Sequence, residues 1–260
     1  MYISQNNKSV YCNGKRKHCF DFSSDGYLGL NLNGGGDSRE AVQSRKSFLE
    51  SGYYSIAAEA IVQKLSEITY NDCVLLDAGC GEGYYTRMLS TLSEYAIGAD
   101  LSKYACSYAS RAAKKSGIDN LLYITGSVFE LPVAEHSCDF VTNIFAPCAE
   151  HEFSRILKKD GYLVVVGAGK NHLIGLKKEI YENTYLNTKR ADLPKEMRLI
   201  SRDTVSFDIT VKDRQGIYEL FSMTPYYWRT SEKDRQKLDS LDTLQTRVEF
   251  EISIYKNINP

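Results

Sequence analysis

The stretch Leu76-Asp77-Ala78-Gly79-Cys80-Gly81-Glu82-Gly83 constrains this chain more than any other. Val74-Leu75-Leu76 reads as a short buried strand ending in an acid, and glycine at alternate positions then opens a helix. Such glycines bring backbone close to a ligand where no side chain fits. Dinucleotide loops look similar, but here the spacing is Gly-x-Gly-x-Gly, and Asp77 stands directly before the turn. A carboxylate there repels a pyrophosphate and suits the amino group of a methionine tail. Asp100 ends the next strand, within Gly98-Ala99-Asp100-Leu101-Ser102, where it can accept from both hydroxyls of a ribose. These features predict an S-adenosyl-L-methionine site built from Asp77, Gly79, Gly81, Gly83, Asp100 and Leu101, and hence a methyltransferase. Gly126-Ser127 suits backbone contact with an adenine ring, and Asn143 can face the reacting centre; turn or capping roles are the alternative for each.

The remaining pattern fits an α/β fold. From Asn71, strands at 74–77, 96–100, 121–125, 140–145 and 162–166 alternate with helices at 83 onward, 103–116 and 150–157. Short connections between such elements require crossovers and a parallel sheet. The expectation is a Rossmann-like class I methyltransferase with a mostly parallel seven-stranded sheet and helices on both faces. Val248, Phe250, Ile252 and Ile254 alternate with polar residues and predict an antiparallel edge strand. Ahead of this domain (71–260), Asp37 or Ser38 and then Ser55 can cap two helices of a connector (37–70), the second burying Ile56, Ala60, Ile61, Leu65 and Ile68. Residues 1–36, poor in aliphatics and closed by Gly34-Gly35-Gly36, read as a separate Cys/His-containing module followed by a linker.

No apolar run reaches the ~18 residues of a membrane span, and the start of the chain has no signal-peptide core, so a cytoplasmic protein is expected. Seven cysteines without framework spacing agree with a reducing compartment. The formal net charge is −1, but from Arg155 to Arg202 eleven Lys/Arg face five Asp/Glu, and Lys8 to His18 carries four bases and no acid. Such zones can meet phosphates, or can be ordinary solvated faces.

The chain resembles the RlmA-type 23S rRNA guanine-N1 methyltransferases over nearly its whole length. The resemblance rests on Cys12, His18-x-Phe20-Asp21, Gly26-Tyr27-Leu28-Gly29-Leu30-Asn31, Arg45-Lys46-Ser47-Phe48-Leu49 and Gly52-Tyr53-Tyr54. It continues through Asp77 to Thr86, Phe145-Ala146-Pro147-Cys148, and Met223-Thr224-Pro225-Tyr226-Tyr227-Trp228. It implies a methyl-donor site that includes Tyr54, Gly81, Glu82 and His172, a 23S rRNA substrate and a homodimer. The family's zinc site uses a Cys-x-x-Cys pair that this chain lacks; Cys12 and His18 match only the later pair. Four tetrahedral ligands are therefore not assembled, and no tightly bound zinc is expected. Packing of Phe20, Phe22, Tyr27 and Leu30 is expected to hold the module instead.

Methyl transfer is an in-line displacement, so the protein mainly positions and tunes electrostatics. Asn143 and the Ala146-Pro147 backbone are candidates for holding a guanine edge. Tyr54, Phe145, Tyr226 and Trp228 can stack on a base or serve as core aromatics. Three rival readings stay open: cytosine-C5 chemistry through Cys148 in its Pro-Cys pair, a small-molecule methyltransferase, and an RNA-binding protein without turnover.

Overall fold

The computed structural model describes residues 2–3, 9–12, 18–30, 34–188 and 197–258. Strands β1 (Tyr2–Ile3), β2 (Ser9–Tyr11) and β3 (Cys19–Asp21) form a small antiparallel sheet, and β4 (Leu28–Gly29) follows. Ser38 caps α1 (Arg39–Glu50) by accepting from the Ala41 N–H, which satisfies one of the free donors of the first turn. The next helix, α2 (Ser55–Ser66), departs from the expected Ser55 cap. Ser55 donates its N–H to the Gly52 carbonyl and is drawn into the helix, leaving Tyr54 at the cap position. The buried face of α2 is Ala57, Ala58, Ile61 and Leu65, while Ile56 points outward.

The alternating region gives β5 (Val74–Ala78), α3 (Tyr84–Leu89), β6 (Tyr95–Asp100), α4 (Lys103–Lys115), β7 (Leu121–Thr125), β8 (Cys138–Ile144), α5 (Glu150–Ile156) and β9 (Leu157–Ala168). After α6 (Ile174–Ile180) come β10 (Met197–Val211), α7 (Arg214–Ser222), α8 (Glu232–Asp239) and β11 (Leu244–Asn257). The sheet order is β10-β11-β9-β8-β5-β6-β7-β4. From β9 across to β4 every pairing is parallel, and β11 is antiparallel to both neighbours. This is the mostly parallel sheet the alternation requires, with two differences. β4 adds an eighth strand, and β11 lies inside the sheet because β10, a long strand absent from the sequence-based expectation, covers its outer edge.

Every residue of β8 is buried, as a central strand covered on both faces demands. Successive side chains point to opposite faces. Leu75, Phe140 and Val164 join the cluster under α1 and α2, whereas Leu76, Val141 and Leu163 join the one against Phe153 of α5. Helices therefore cover both faces. Among the described residues no helix is long and apolar enough to cross a membrane.

The amino-terminal segment is welded to the sheet. Leu28 and Gly29 pair with Ile124 and Thr125 of β7, and Phe20, Phe22 and Leu30 pack on the α5-side cluster together with Val10. Tyr27 packs instead on the smaller cluster around Tyr123. Cys12 Sγ lies 3.4 Å from His18 Nδ1, and Cys19 Sγ faces Asp21. Among the described residues no group of three or more His, Cys, Asp or Glu could hold a metal ion. Lys15, Arg16 and Lys17 lie outside the described residues.

The glycine run is docked rather than free. Gly36 has φ +77°, and a Cβ there would lie 2.5 Å from the Ser102 amide nitrogen, just past the end of β6. Ser102 Oγ also donates to the Asp37 carbonyl at 2.7 Å. Gly36→Ala is expected to cost upwards of about 1 kcal/mol, since left-handed strain is joined by a backbone clash that cannot relax through a side chain. Gly34 has φ +69° and nothing within 4 Å of its Cβ, so Gly34→Ala isolates the strain alone. Urea denaturation of the two variants checks this: equal losses would show that Gly36 is not packed on Ser102.

Candidate methyl-donor site

The parallel strands deliver their carboxyl ends to one edge of the sheet, where ligands bind in open α/β folds. At the end of β5 the Gly79 and Cys80 N–H groups both donate to the Ala99 carbonyl, closing the turn against β6. Gly79, Gly81 and Gly83 have φ of +82°, +55° and +75°. A Cβ on Gly79 would lie 2.4 Å from Ala146 Cβ, and one on Gly83 would lie 2.3 Å from Tyr123 Oη. Glycine is thus required by conformation at all three positions and by space at two.

Three carboxylates surround this loop in different states. Asp77 is 2% exposed; its two oxygens accept from Thr86 Oγ1 of α3 and Thr142 Oγ1 of β8. Burial pushes its pKa up to about 6, against the two hydroxyl bonds that pull it down. Asp100 accepts from the Gly81 N–H at 3.0 Å and the Ser102 N–H at 2.8 Å, and burial raises its pKa as well. Glu82 is 3% exposed, and its carboxylate takes Arg45 Nε at 2.6 Å. Arg45 also reaches Asp37 at 2.7 Å. Burial alone would lower the Arg45 pKa, but Glu82 and Asp37 outweigh it and hold the guanidinium charged. Leu101, beside Asp100, is partly exposed, with Gly35 against its side chain. Ser127 is half-buried after β7, its Oγ accepting from the Phe129 N–H.

The wall beyond β8 and β9 carries the unspent hydrogen-bonding groups. Asn143 is fully buried, and its amide nitrogen donates to the Ala78 and Pro147 carbonyls, both at 3.1 Å. Two carbonyl partners fix which way the amide faces; Asn143 Oδ1 is then left buried without a partner. Phe145 has φ +52°, an outlying conformation for an aromatic residue, and is 47% exposed. Strain of this kind is tolerated where function requires it. Its ring packs on His172 and Phe250. His172 Nδ1 accepts from the Glu249 N–H, so the ring proton sits on Nε2. Burial, with the Lys177 charge adding to it, pushes the His172 pKa down to about 3. Tyr54 packs between Phe48, His172 and Phe250, and its hydroxyl is buried without a partner.

The structure therefore gathers Asp77, Gly79, Gly81, Glu82, Gly83, Asp100 and Leu101 at the ends of β5 and β6. It places Ser127 after β7 and Asn143 with Pro147 at the end of β8, and joins Tyr54 to His172 through ring contacts. Trp228 lies apart and exposed. Cys148 packs partly buried against the α5-side cluster. Arg45, Thr86 and Thr142 complete the site; the first two stand in segments that carry the family resemblance, but nothing in the sequence assigned any of the three its role here. Lys177 was likewise unassigned: it is fully buried, donates to Asn187 Oδ1 at 2.6 Å, and Asn187 in turn donates to the Gly169 carbonyl before His172.

This donor set fits S-adenosyl-L-methionine. The glycine turn leaves backbone bare, Asp100 can accept from ribose hydroxyls, Asp77 supplies negative charge, and the orphaned Tyr54 hydroxyl and Asn143 Oδ1 await polar partners.

Comparison with known proteins agrees. Residues 76–165 match the family described as Methyltransferase domain. YxjB of Bacillus subtilis (strain 168), named as a 23S rRNA (guanine-N(1)-)-methyltransferase, is 31% identical over 89% of this chain and 84% of its own length. A protein of Micromonospora griseorubida with the same enzyme name is 28% identical over 82% of this chain and 78% of its own. The crystal structure of YcgJ from Bacillus subtilis superposes with a TM-score of 0.55 at 13% identity, covering 79% of this chain and all of that one, which shows the shared fold. The chain is an S-adenosylmethionine-dependent methyltransferase and belongs to the 23S rRNA (guanine-N1)-methyltransferase family.

Proposed function

We propose that the chain transfers the methyl group of S-adenosyl-L-methionine to N1 of a guanine in 23S rRNA. The observation that carries this reading is the buried, unpartnered Asn143 Oδ1 at the end of β8, beside the Ala146-Pro147 turn that packs on the glycine loop. A fixed carbonyl oxygen accepts from an N–H, and the exocyclic N2 amine of guanine offers one beside N1, whose own proton is released to water as the methyl group takes its place. The two relatives from Bacillus subtilis and Micromonospora griseorubida carry names for this same reaction.

Tyr54, Asp77, Gly79, Gly81, Gly83, Asp100, Leu101 and Ser127 would hold the cofactor, with Glu82 bracing the loop through Arg45. The bound cofactor supplies an electrophilic methyl group on a sulfonium. His172, with Nδ1 occupied and its proton on Nε2, acts as a hydrogen-bond donor and not as a base. Asn143 orients the guanine, and Phe145 offers a ring at the mouth of the site. An RNA of this kind works in the cytoplasm, and the paired copies implied by the family resemblance are part of the same proposal.

Primer extension on unmodified 23S rRNA treated with the protein and cofactor tests the chemistry. A methyl at N1 blocks base pairing, so a new stop one nucleotide before a guanine is expected. A methyl at cytosine C5 leaves pairing intact. Label incorporated without any stop would refute the N1 assignment and move Cys148 into the mechanism.

A further inference from the structure

The turn between α7 and α8 carries the chain from the methyl-donor site to an unusual surface. On its inner side, Tyr226 donates to Asn187 Oδ1 at 3.4 Å, and Asn187 holds the loop that leads to His172. Two residues further on, Trp228 is 78% exposed, although a tryptophan is normally largely covered. Its ring meets Tyr227 edge-on at 5.1 Å, and Tyr227 meets Tyr218 edge-on at 6.3 Å. The Arg235 guanidinium lies 4.5 Å over the Tyr227 ring, anchored by the Tyr227 and Thr230 carbonyls. Among the described residues neither Arg235 nor the exposed Arg229 has a carboxylate partner. A cleft of about 420 Å³ opens beside these rings, between α7 and α8, where Tyr218, Tyr227, Arg214 and Arg235 share the wall with Glu232 and Asp239.

We propose that Trp228, Tyr227 and Tyr218, with Arg229 and Arg235, form a stacking platform for an unpaired nucleotide of the RNA substrate that flanks the target base. Trp228 and Tyr218 are exposed and offer ring faces to bases, Tyr227, half-buried under Arg235, props the Trp228 ring edge-on, and guanidinium groups free of carboxylates meet the phosphates between the bases. That interleaving of aromatic and cationic groups is what single-stranded RNA requires. The volume lies in the range of about 300–1,000 Å³ typical of small-ligand pockets, enough for a base. The hydrogen bonds of Tyr226 to Asn187 and of Asn187 to the Gly169 carbonyl tie the turn that carries the platform to the loop leading to His172, so both can hold parts of one RNA strand. This inference rests on the proposed RNA substrate.

Trp228 is the only tryptophan of the chain, so intrinsic fluorescence reports on it directly. The full chain is titrated with a single-stranded oligoribonucleotide of mixed sequence and with a blunt RNA duplex. Quenching by the single strand and weaker quenching by the duplex are expected in the wild type, and an affinity loss of about tenfold or more in Trp228→Ala, read from the anisotropy of a dye-labelled single strand because the variant has no tryptophan. Trp228→Phe, which keeps a ring, is expected to retain most of the affinity, and neither variant is expected to alter cofactor affinity. RNA binding without quenching, no RNA binding at all, or unchanged affinity in Trp228→Ala would overturn the platform. If Trp228→Ala keeps its RNA affinity but turns a dimer into a monomer in sedimentation, the face belongs to a second copy of the chain and the platform is likewise overturned. Quenching and affinity loss without any methylation of 23S rRNA would leave the platform standing and refute the proposed reaction. Methylation without quenching would do the reverse.

Discussion

Asp77→Ala is expected to weaken S-adenosylmethionine binding by about 100-fold or more while leaving folding stability at neutral pH nearly unchanged. The two effects separate because they draw on different interactions. The Asp77 oxygens are already held by Thr86 and Thr142, so the carboxylate serves the cationic cofactor through its charge rather than through a free lone pair. A charge felt in a water-poor site is worth about 2–3 kcal/mol, roughly 100-fold in affinity. For folding, the substitution strands two buried hydroxyls, at about 1–3 kcal/mol each. It also removes the cost of an ionised buried carboxylate, about 3 kcal/mol for a rise from 3.8 to about 6, so the terms largely cancel.

The pH dependence of Asp77 has two opposite signs. Its folded-state pKa is raised, so its contribution to stability is fully present below about pH 4, is lost as pH rises through about 6, and is flat above that. Cofactor affinity needs the anion and is therefore expected to fall, approaching tenfold per unit, as pH drops below about 6. Titration calorimetry across this range, on the wild type and on Asp77→Asn, checks both points. A wild-type affinity that is flat through pH 6, or an Asp77→Asn variant with wild-type affinity, would remove Asp77 from the account.

The second large effect is expected at Arg45. This side chain reaches from α1 to a Glu82 carboxylate that is almost fully buried, with Asp37 at its other end. Arg45→Met leaves Glu82 buried without a cation, and losing one member of such a pair costs about 3–5 kcal/mol. For a chain of this size that lowers Tm by about 10 °C. Adding Glu82→Gln is expected to restore much of the loss, because the uncompensated charge goes with it. Thermal unfolding of the two single variants and the double variant measures the coupling. Strict additivity would mean that Arg45 and Glu82 do not act as a pair.

Some of this site was legible in the chain because local chemistry demands particular residue types. Gly79, Gly81 and Gly83 sit at positive φ, two of them where a Cβ would collide, and Asp100 ends a strand beside them. Other parts depend on residues that only the fold brings together. The Arg45–Glu82 pair and the Thr142–Asp77 bond join positions remote in sequence, and nothing in their local pattern pairs them. β10 escaped notice because this edge strand is buried at only a few positions and is rich in charged and hydroxyl residues, which blurs the apolar alternation. The inward position of β11 was hidden with it. Gly34-Gly35-Gly36 has linker composition, yet Gly36 is packed on Ser102 and Leu28 extends the main sheet. The rings behaved least like their composition: Tyr54 is buried, while Phe145 and Trp228 face solvent.

Mass spectrometry of nucleosides from unmodified 23S rRNA, incubated with the purified protein and isotopically labelled S-adenosylmethionine, tests the central claim most directly. Label in 1-methylguanosine is the expected result. Label in any other nucleoside, or none in RNA while the cofactor binds normally, would contradict it.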